Sequence, residues 1–112
     1  MMKIVIASDS FKGTLSSLDI CHLFKDELVK YPLIKAAYLP IADGGEGSLE
    51  AIAFSLKGRY INLTAKNPYF VDIDSRYFID DNNVAYLETA STAGLTLIED
   101  LNPAKTTTFG LG

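Results

Sequence analysis

Two patterns of apolar residues alternate along the first half of the chain, one typical of buried strands and one typical of helices. Residues 3–8 form a continuous, largely β-branched run, which predicts a strand buried on both faces. Residues 35–41 predict a second strand, although Pro40 weakens its last ladder bond. Apolar residues at three- and four-residue steps predict helices over about residues 17–30 and 48–57. This strand–helix–strand–helix order favours parallel pairing of the strands.

The two predicted helices also have recognisable ends. Ser16 with Asp19 three residues later resembles a capping box, Pro32 ends the first helix, and Gly58 is placed as the C-cap of the second. The stripe expected to be buried on the first helix is Leu18, Cys21, Phe24 and Leu28. On the second helix it is Leu49, Ile52, Ala53 and Leu56.

Beyond the second helix the pattern changes to apolar–polar alternation. The alternating stretches are residues 60–65, 71–79 and 84–88, with turn residues at 67–68 and 80–83. They predict antiparallel hairpins on a half-exposed sheet. Residues 102–112 form a Thr- and Gly-rich loop with no predicted element after it, so we expect the chain to be cut off within a larger protein.

The predicted fold class is therefore α/β. A βαβα unit with a parallel sheet (residues 1–58) precedes a β-rich segment (residues 59–112), and the 112 residues together form the amino-terminal portion of a larger protein.

Composition limits the classes of partner. The chain is 48% hydrophobic and 21% charged, which is ordinary for a globular protein, and its net charge of −4 argues against nucleic-acid or anionic-membrane surfaces. The single cysteine excludes an intramolecular disulfide, and the apolar run at the N-terminus is too short for a signal peptide or a bilayer span. We expect a cytoplasmic location.

Each predicted strand of the first half is followed by a polar loop, at the edge where α/β sheets collect ligands. The first loop offers Asp9, Ser10, Lys12 and Gly13. Its lysine can neutralise a phosphate or carboxylate, and its aspartate can hold a metal or accept a hydroxyl proton. Ordinary turn chemistry with a solvated lysine explains the same residues equally well.

The second loop contains three glycines within four residues: Gly44, Gly45 and Gly47. They allow positive φ and let several N–H groups converge on an anion at the start of the next helix. Asp43 and Glu46 would repel bare phosphate, and a bridging Mg²⁺ removes that conflict. A flexible acidic turn is the alternative. No P-loop motif or complete dinucleotide fingerprint occurs.

The remaining polar features carry less information. Residues 88–94 supply hydroxyls after a strand, where a structural cap and a ligand contact are both reasonable. His22 is expected on the surface, and Cys21 is expected in the core.

Four strings in order resemble signatures of the bacterial glycerate kinase family. They are residues 3–14, 42–48, 88–95 and 106–110. Ser8 replaces a common proline, and none of the departures removes a candidate catalytic group. The main departure is length, since family members are considerably longer and have two α/β domains with the active site between them.

The resemblance implies ATP- and Mg²⁺-dependent phosphorylation of D-glycerate. It implies catalytic roles for Asp9, Lys12, Asp43 and Glu46, the last two also as metal ligands. It implies substrate or phosphate binding by Ser10, Gly13, Gly44, Gly45, Gly47, Ser91, Thr106, Thr107 and Thr108. The partners are then glycerate and ATP, with neither nucleic acid nor membrane.

Alone, the chain is expected to be inactive. Two further hypotheses are a non-catalytic module that binds small anions and a partner subunit that completes a site with another chain.

Overall fold

The computed structural model describes residues 1–94 and 97–112 and has the α/β character that the sequence predicts. Leu95, the last residue of the third family-like string, lies outside the described residues. The chain divides into two compact units, Met1–Phe54 and Ser55–Gly112, and each is described by itself.

The first unit is built on a parallel pair of strands. Strand β1 (Met2–Ser8) pairs with β2 (Ile34–Pro40) in a register that sets Met2 opposite Ile34 and Ser8 opposite Pro40. Helix α1 (Ser17–Leu28) connects them and packs against both. The predicted parallel pairing is confirmed, and the carboxyl ends of the two strands lie side by side.

The prediction that β1 is buried on both faces is wrong. Ile4 and Ile6 are half-buried on one face, whereas Val5 on the other face is 63% exposed. Strand β2 alternates in the same way, and Leu39 is 49% exposed. A parallel sheet is normally covered on both faces, so the exposure of Val5 and Leu39 is unusual for a parallel pair.

Helix α1 begins as predicted but buries a different stripe. Ser16 Oγ accepts a hydrogen bond from the Asp19 N–H (3.0 Å), and Asp19 Oδ2 accepts one from the Ser16 N–H (2.9 Å), which completes the capping box. The predicted Cys21 is buried with 2% exposure, but Phe24 is 45% exposed. The helix buries instead Ser17, Ile20 and Cys21. His22 is exposed, as predicted.

Helix α2 (Ser48–Ser55) is shorter than predicted and buries Leu49 and Ala51 rather than the whole expected stripe. Gly58 is not its cap but the first residue of the next strand. A Cβ at Gly58 would collide with the Ile79 carbonyl and the Phe78 ring, so close strand packing explains this glycine.

The second unit contains the predicted antiparallel sheet. Strands β3 (Gly58–Lys66), β4 (Asp72–Asp80) and the short β5 (Ala85–Tyr86) pair in that order. Phe78, 3% exposed, is its central core residue and packs against the rings of Tyr60 and Tyr86.

The turn between β4 and β5 is organised by Asp80, which is buried with 8% exposure. Its Oδ1 accepts hydrogen bonds from the N–H groups of Asn82 (2.8 Å) and Val84 (2.9 Å), and its Oδ2 accepts one from the Tyr86 hydroxyl (3.2 Å). Asn83 adopts a φ of 62°, a conformation that asparagine tolerates in turns.

The end of the chain has more structure than the expected loop. Helix α3 (Ala90–Ala93) lies against β4, and 3-10 turns form at Pro103–Lys105 and Phe109–Leu111. Gly110 lies so close to the backbone of Lys66 in β3 that a Cβ would overlap the Lys66 carbonyl oxygen. The loop predicted at residues 102–112 therefore contains two short 3-10 turns.

Within the part of the chain that the structure describes, no helix is both long and apolar enough to cross a bilayer. The cytoplasmic location stays a prediction.

Candidate functional site

The two candidate loops of the first unit leave the same edge of the parallel sheet. Pairing continues one step beyond the strands, because the Ile41 N–H donates to the Ser8 carbonyl (3.1 Å). Asp9 begins one loop and Ala42 begins the other directly after this last bond. The strand register therefore places the basic loop and the acidic, glycine-rich loop beside each other at their origins.

The first loop is a tight, hydrogen-bonded turn. Phe11 and Leu15 exchange backbone hydrogen bonds (2.9 and 3.1 Å), and the Thr14 N–H also donates to the Phe11 carbonyl (2.9 Å). Gly13 occupies the third turn position with a φ of 75°, which a residue with a Cβ rarely adopts. The turn carries Lys12 at its tip.

The Lys12 side chain is exposed and makes no ion pair with any residue in ranges 1–94 and 97–112. Earlier in the same loop, Asp9 Oδ1 accepts a hydrogen bond from the Ser10 N–H (2.7 Å), which leaves the exposed Asp9 Oδ2 accessible. The loop thus presents one cation and one partly engaged carboxylate to solvent. A lysine can bind an anion, and a carboxylate can accept a hydrogen bond from a hydroxyl.

The second loop is shaped by its own first side chain. Asp43 Oδ1 accepts a hydrogen bond from the Gly45 N–H (2.9 Å). This bond closes an Asx-turn, in which the side-chain oxygen takes the place of a backbone carbonyl. Gly44 and Gly47 have φ values of 92° and 88°, so both positions need the conformational freedom of glycine. Ser48 then donates through Oγ to the Gly45 carbonyl (2.7 Å) where α2 begins.

Three backbone donors of this loop remain available. Among the described residues, the N–H groups of Gly44, Glu46 and Gly47 have no acceptor, whereas that of Gly45 is used by Asp43. Open space surrounds Gly44 and Gly47, since a Cβ at either would meet nothing within 4 Å. Unpaired N–H groups ahead of a helix N-terminus are suitable donors for an anion.

The donor chemistry of the same loop fits a magnesium ion that is shared with phosphate. No cluster of three His, Cys, Asp or Glu side chains able to hold a metal occurs among the described residues. Asp43 and Glu46 are exposed, however, and their Oδ2 and Oε atoms have no hydrogen-bond or ion-pair partner among residues 1–94 and 97–112. Mg²⁺ is commonly held by one or two carboxylates together with substrate phosphates and water, so two carboxylates are an adequate protein contribution.

In the second unit, Ser91 is engaged within the protein. Its hydroxyl donates to the Glu88 carbonyl (2.7 Å) and lies 3.1 Å from the Ser75 hydroxyl on β4. The Ser91 side chain therefore links the start of α3 to β4, but it does not cap the helix, whose N-cap residue Thr89 makes no side-chain cap hydrogen bond.

The candidate residues Thr106, Thr107 and Thr108 line an open cavity of about 420 Å³ in the second unit. The Thr107 N–H donates to the Pro68 carbonyl (2.8 Å), and Thr107 Oγ1 accepts from the Phe109 N–H (3.2 Å). Thr106 donates a long bond to the Pro103 carbonyl (3.4 Å), and Thr108 is exposed. The remaining lining residues are Pro68, Ala93, Ile98 and Pro103.

These apolar lining residues are absent from the set predicted by sequence. They come from separate parts of the chain and have apolar side chains, so only the tertiary arrangement shows that they share a cavity.

Comparison with known proteins gives a consistent family. The model of the glycerate kinase family matches residues 4–112. The chain is 38% identical to an uncharacterised protein of Synechocystis sp., over 100% of the chain and 31% of that protein. It is 34% identical to a glycerate kinase of Bacillus subtilis and 32% identical to a glycerate 2-kinase of Escherichia coli, in each case over 99% of the chain and 30% of the relative.

The fold is also similar to a solved structure. A protein of Salmonella typhimurium LT2, described as a glycerate kinase 2, superposes with a TM-score of 0.77 at 32% identity, over 99% of this chain and 31% of that one. The chain thus spans just under a third of the length of the relatives that it matches.

Proposed function

The chain belongs to the glycerate kinase family, and we propose that the full-length protein containing it transfers the terminal phosphoryl group of ATP to a hydroxyl of D-glycerate. The observation that supports this most directly is the shared sheet edge, where the Lys12 turn and the Asp43–Gly47 loop begin side by side. Phosphoryl transfer depends mainly on positioning and charge neutralisation, and this edge offers both.

In this proposal the two loops have different roles in binding the substrates. Lys12 attracts the negative charge of the glycerate carboxylate or of the transferring phosphoryl group, and Gly13 gives its turn the required backbone conformation. The free N–H groups of Gly44, Glu46 and Gly47 hold phosphate oxygens. Gly45 contributes through the turn that it closes on Asp43 rather than through its own N–H.

The carboxylates have two tasks. Asp43 and Glu46 would hold Mg²⁺, which supplies neutralisation of phosphate charge when it is bound with ATP. Asp9 Oδ2 is placed to accept a hydrogen bond or the proton of a substrate hydroxyl, and Ser10 fixes the orientation of that carboxylate. Ser91 and Thr106–Thr108 are second-rank contributors, through the start of α3 and the cavity of the second unit.

The proposal is tested by measuring ATP-dependent phosphorylation of D-glycerate by the full-length protein. Lys12→Ala is expected to lower kcat/KM by about 100-fold or more, since it removes a charged donor from the developing phosphoryl charge. Lys25→Ala, an exposed lysine of α1, is the matched control and should leave kcat/KM unchanged. Near-normal turnover of a folded Lys12→Ala protein would remove Lys12 from the site.

The same assay addresses two further points. Separating 2-phosphoglycerate from 3-phosphoglycerate identifies the hydroxyl that is phosphorylated. Assaying the 112-residue chain by itself should give no turnover, whereas saturable binding of ATP or glycerate without product would favour the alternative of a binding module.

A further inference from the structure

The turn between β3 and β4 holds Phe70 in an unusual backbone conformation. Phe70 has a φ of 65°, in the left-handed region that a bulky side chain rarely adopts. Asn67 enforces this conformation, because its Oδ1 accepts hydrogen bonds from the N–H groups of Tyr69 (2.9 Å) and Val71 (3.0 Å). The Phe70 N–H also donates to the Asn67 carbonyl (3.0 Å), and the Asn67 N–H donates to the Val71 carbonyl (2.8 Å). The turn therefore maintains a strained conformation at Phe70.

This conformation does not serve core packing. Phe70 is 53% exposed, and its ring lies against the ring of Phe109, which is 63% exposed, with the two centroids 4.9 Å apart. The Lys66 ammonium also contacts the Phe70 ring, at 5.1 Å from its centroid. The turn thus directs the Phe70 ring toward the segment that carries Phe109. We call this contact between the rings of Phe70 and Phe109 the aromatic clamp.

Two backbone contacts join the same two segments. The Thr107 N–H donates to the Pro68 carbonyl (2.8 Å). Gly110 packs so closely on Lys66 that a Cβ would overlap the Lys66 carbonyl oxygen. Thr108 lies between these attachments, so the β3–β4 hairpin fixes the backbone on both sides of Thr108.

Thr108 is the threonine of the cavity whose hydroxyl is available to a ligand. The Thr106 hydroxyl donates to the Pro103 carbonyl, and the Thr107 hydroxyl accepts from the Phe109 N–H. The Thr108 side chain is exposed, lines the cavity and has no hydrogen-bond partner among residues 1–94 and 97–112. The lining residues are uncharged, so recognition of a polar atom in this cavity depends on hydroxyl and backbone groups.

We propose that Phe70, through the aromatic clamp, is a positioning residue for phosphoryl transfer and holds the Thr108 hydroxyl in place to donate a hydrogen bond to an oxygen atom of a bound substrate. This inference rests on the proposed function, in which Thr106–Thr108 contribute to substrate binding. A segment that is fixed before binding loses less entropy when such a bond forms. The strained backbone at Phe70 is then explained by the contact that its ring makes.

The test is a double-mutant cycle in the full-length protein, with kcat and KM measured for D-glycerate and for ATP. Thr108→Val removes the hydroxyl at nearly constant volume and should lower kcat/KM by about tenfold, roughly the contribution of one hydrogen bond. The substrate whose KM rises is the one that the hydroxyl contacts. Phe70→Gly removes the ring but suits a positive φ, so Tm should be retained while kcat/KM falls by about three- to tenfold. Phe70→Tyr is the matched control, because it keeps the ring contact and should retain activity.

The coupling between the two positions decides the outcome. In the Thr108→Val background, Phe70→Gly should cause no further loss of kcat/KM, because Phe70 acts only through the Thr108 hydroxyl. Additive losses would overturn the proposal, and so would unchanged kcat/KM in either single variant. A fall in Tm without a change in kcat/KM would show that the clamp is only a structural contact.

Hydrogen exchange of residues 106–111 separates this proposal from the proposed function. Exchange there should be faster in Phe70→Gly than in the unsubstituted protein and in Phe70→Tyr, since the clamp no longer holds the segment. If the unsubstituted full-length protein does not phosphorylate D-glycerate, the proposed function fails, and faster exchange would still show that Phe70 holds this segment. Unchanged exchange would overturn the role of the clamp whatever the activity.

Discussion

Asp80 shows how one side chain can define a turn in this protein. Both of its carboxylate oxygens accept hydrogen bonds, and the backbone N–H of Val84 is the largest of the influences that lower the pKa of Asp80 below its ordinary value of 3.8. Burial opposes that shift, and the Asn82 N–H and the Tyr86 hydroxyl add to it. The interaction also has a reciprocal effect, because burial and Asp80 raise the pKa of Tyr86.

The lowered pKa of Asp80 predicts a stability change in acid. The folded state binds this proton less readily than the unfolded state, so the ionised carboxylate stabilises the fold above pH 3.8, and this contribution is lost as pH falls through the folded pKa. Urea unfolding of the 112-residue chain, followed by circular dichroism, should therefore show less stability below pH 3.8 than at neutral pH.

Asp80→Asn tests the assignment to this residue. The variant should be less stable at neutral pH and should lose less stability on acidification than the unsubstituted chain. If both proteins lose the same stability on acidification, that loss comes from carboxylates other than Asp80.

The candidate site was predictable at residue scale only where position along a strand decides it. Asp9 and Ala42 follow the carboxyl ends of parallel neighbours, so their loops had to share an edge. The contact of Ser91 with Ser75 joins residues 16 apart in sequence, so no local pattern predicts it. The bonds of Asp43 with Gly45 and of Ser91 with Glu88 are local, but whether a given side chain closes such a turn depends on its conformation.

Among the elements, helix α1 has the most complete set of local signals. Its capping box was evident from Ser16 and Asp19, and the Ser16 hydroxyl is the largest cause of the lowered pKa of Asp19. The box satisfies backbone donors that the helix leaves unpaired at its first turn.

Loss of the cap should weaken α1 measurably. Ser16→Ala is expected to lower the free energy of unfolding by about 1 kcal/mol, the usual cost of replacing a good N-cap residue by alanine. Ser16→Thr is the control and should retain most of that stability, because threonine also accepts the N–H of Asp19. Equal stability of the alanine and serine proteins in urea titrations would show that the cap contributes nothing.

The elements themselves were predicted better than the faces that they bury. Helical spacing was correct for α1, but Ile20 and Ser17 are buried where Phe24 was expected. A period fixes the distance between buried residues, whereas the phase depends on which neighbours cover the helix. For β1 the strand was correct and the second covered face was not, since Val5 is 63% exposed.

At the scale of the whole molecule, sequence indicated both the α/β class and the family. The parallel pair and the antiparallel sheet follow from the change of hydrophobic period along the chain. The lengths of β5 and α2 and the 3-10 turns near the end did not follow from it, because short elements depend on tertiary contacts such as the close approach of Gly110 to Lys66.

Because Cys21 is buried and is the sole cysteine of the chain, its rate of labelling by a thiol reagent reports how often the first unit opens. Burial raises the pKa of the Cys21 thiol and shields its sulfur, so a thiol reagent should modify the native chain only during opening events. Labelling should be slow in buffer, fast in urea and accelerated by Ser16→Ala, which loosens the helix that holds the thiol. If Cys21 is labelled rapidly and urea does not change the rate, the core around Cys21 opens frequently under native conditions.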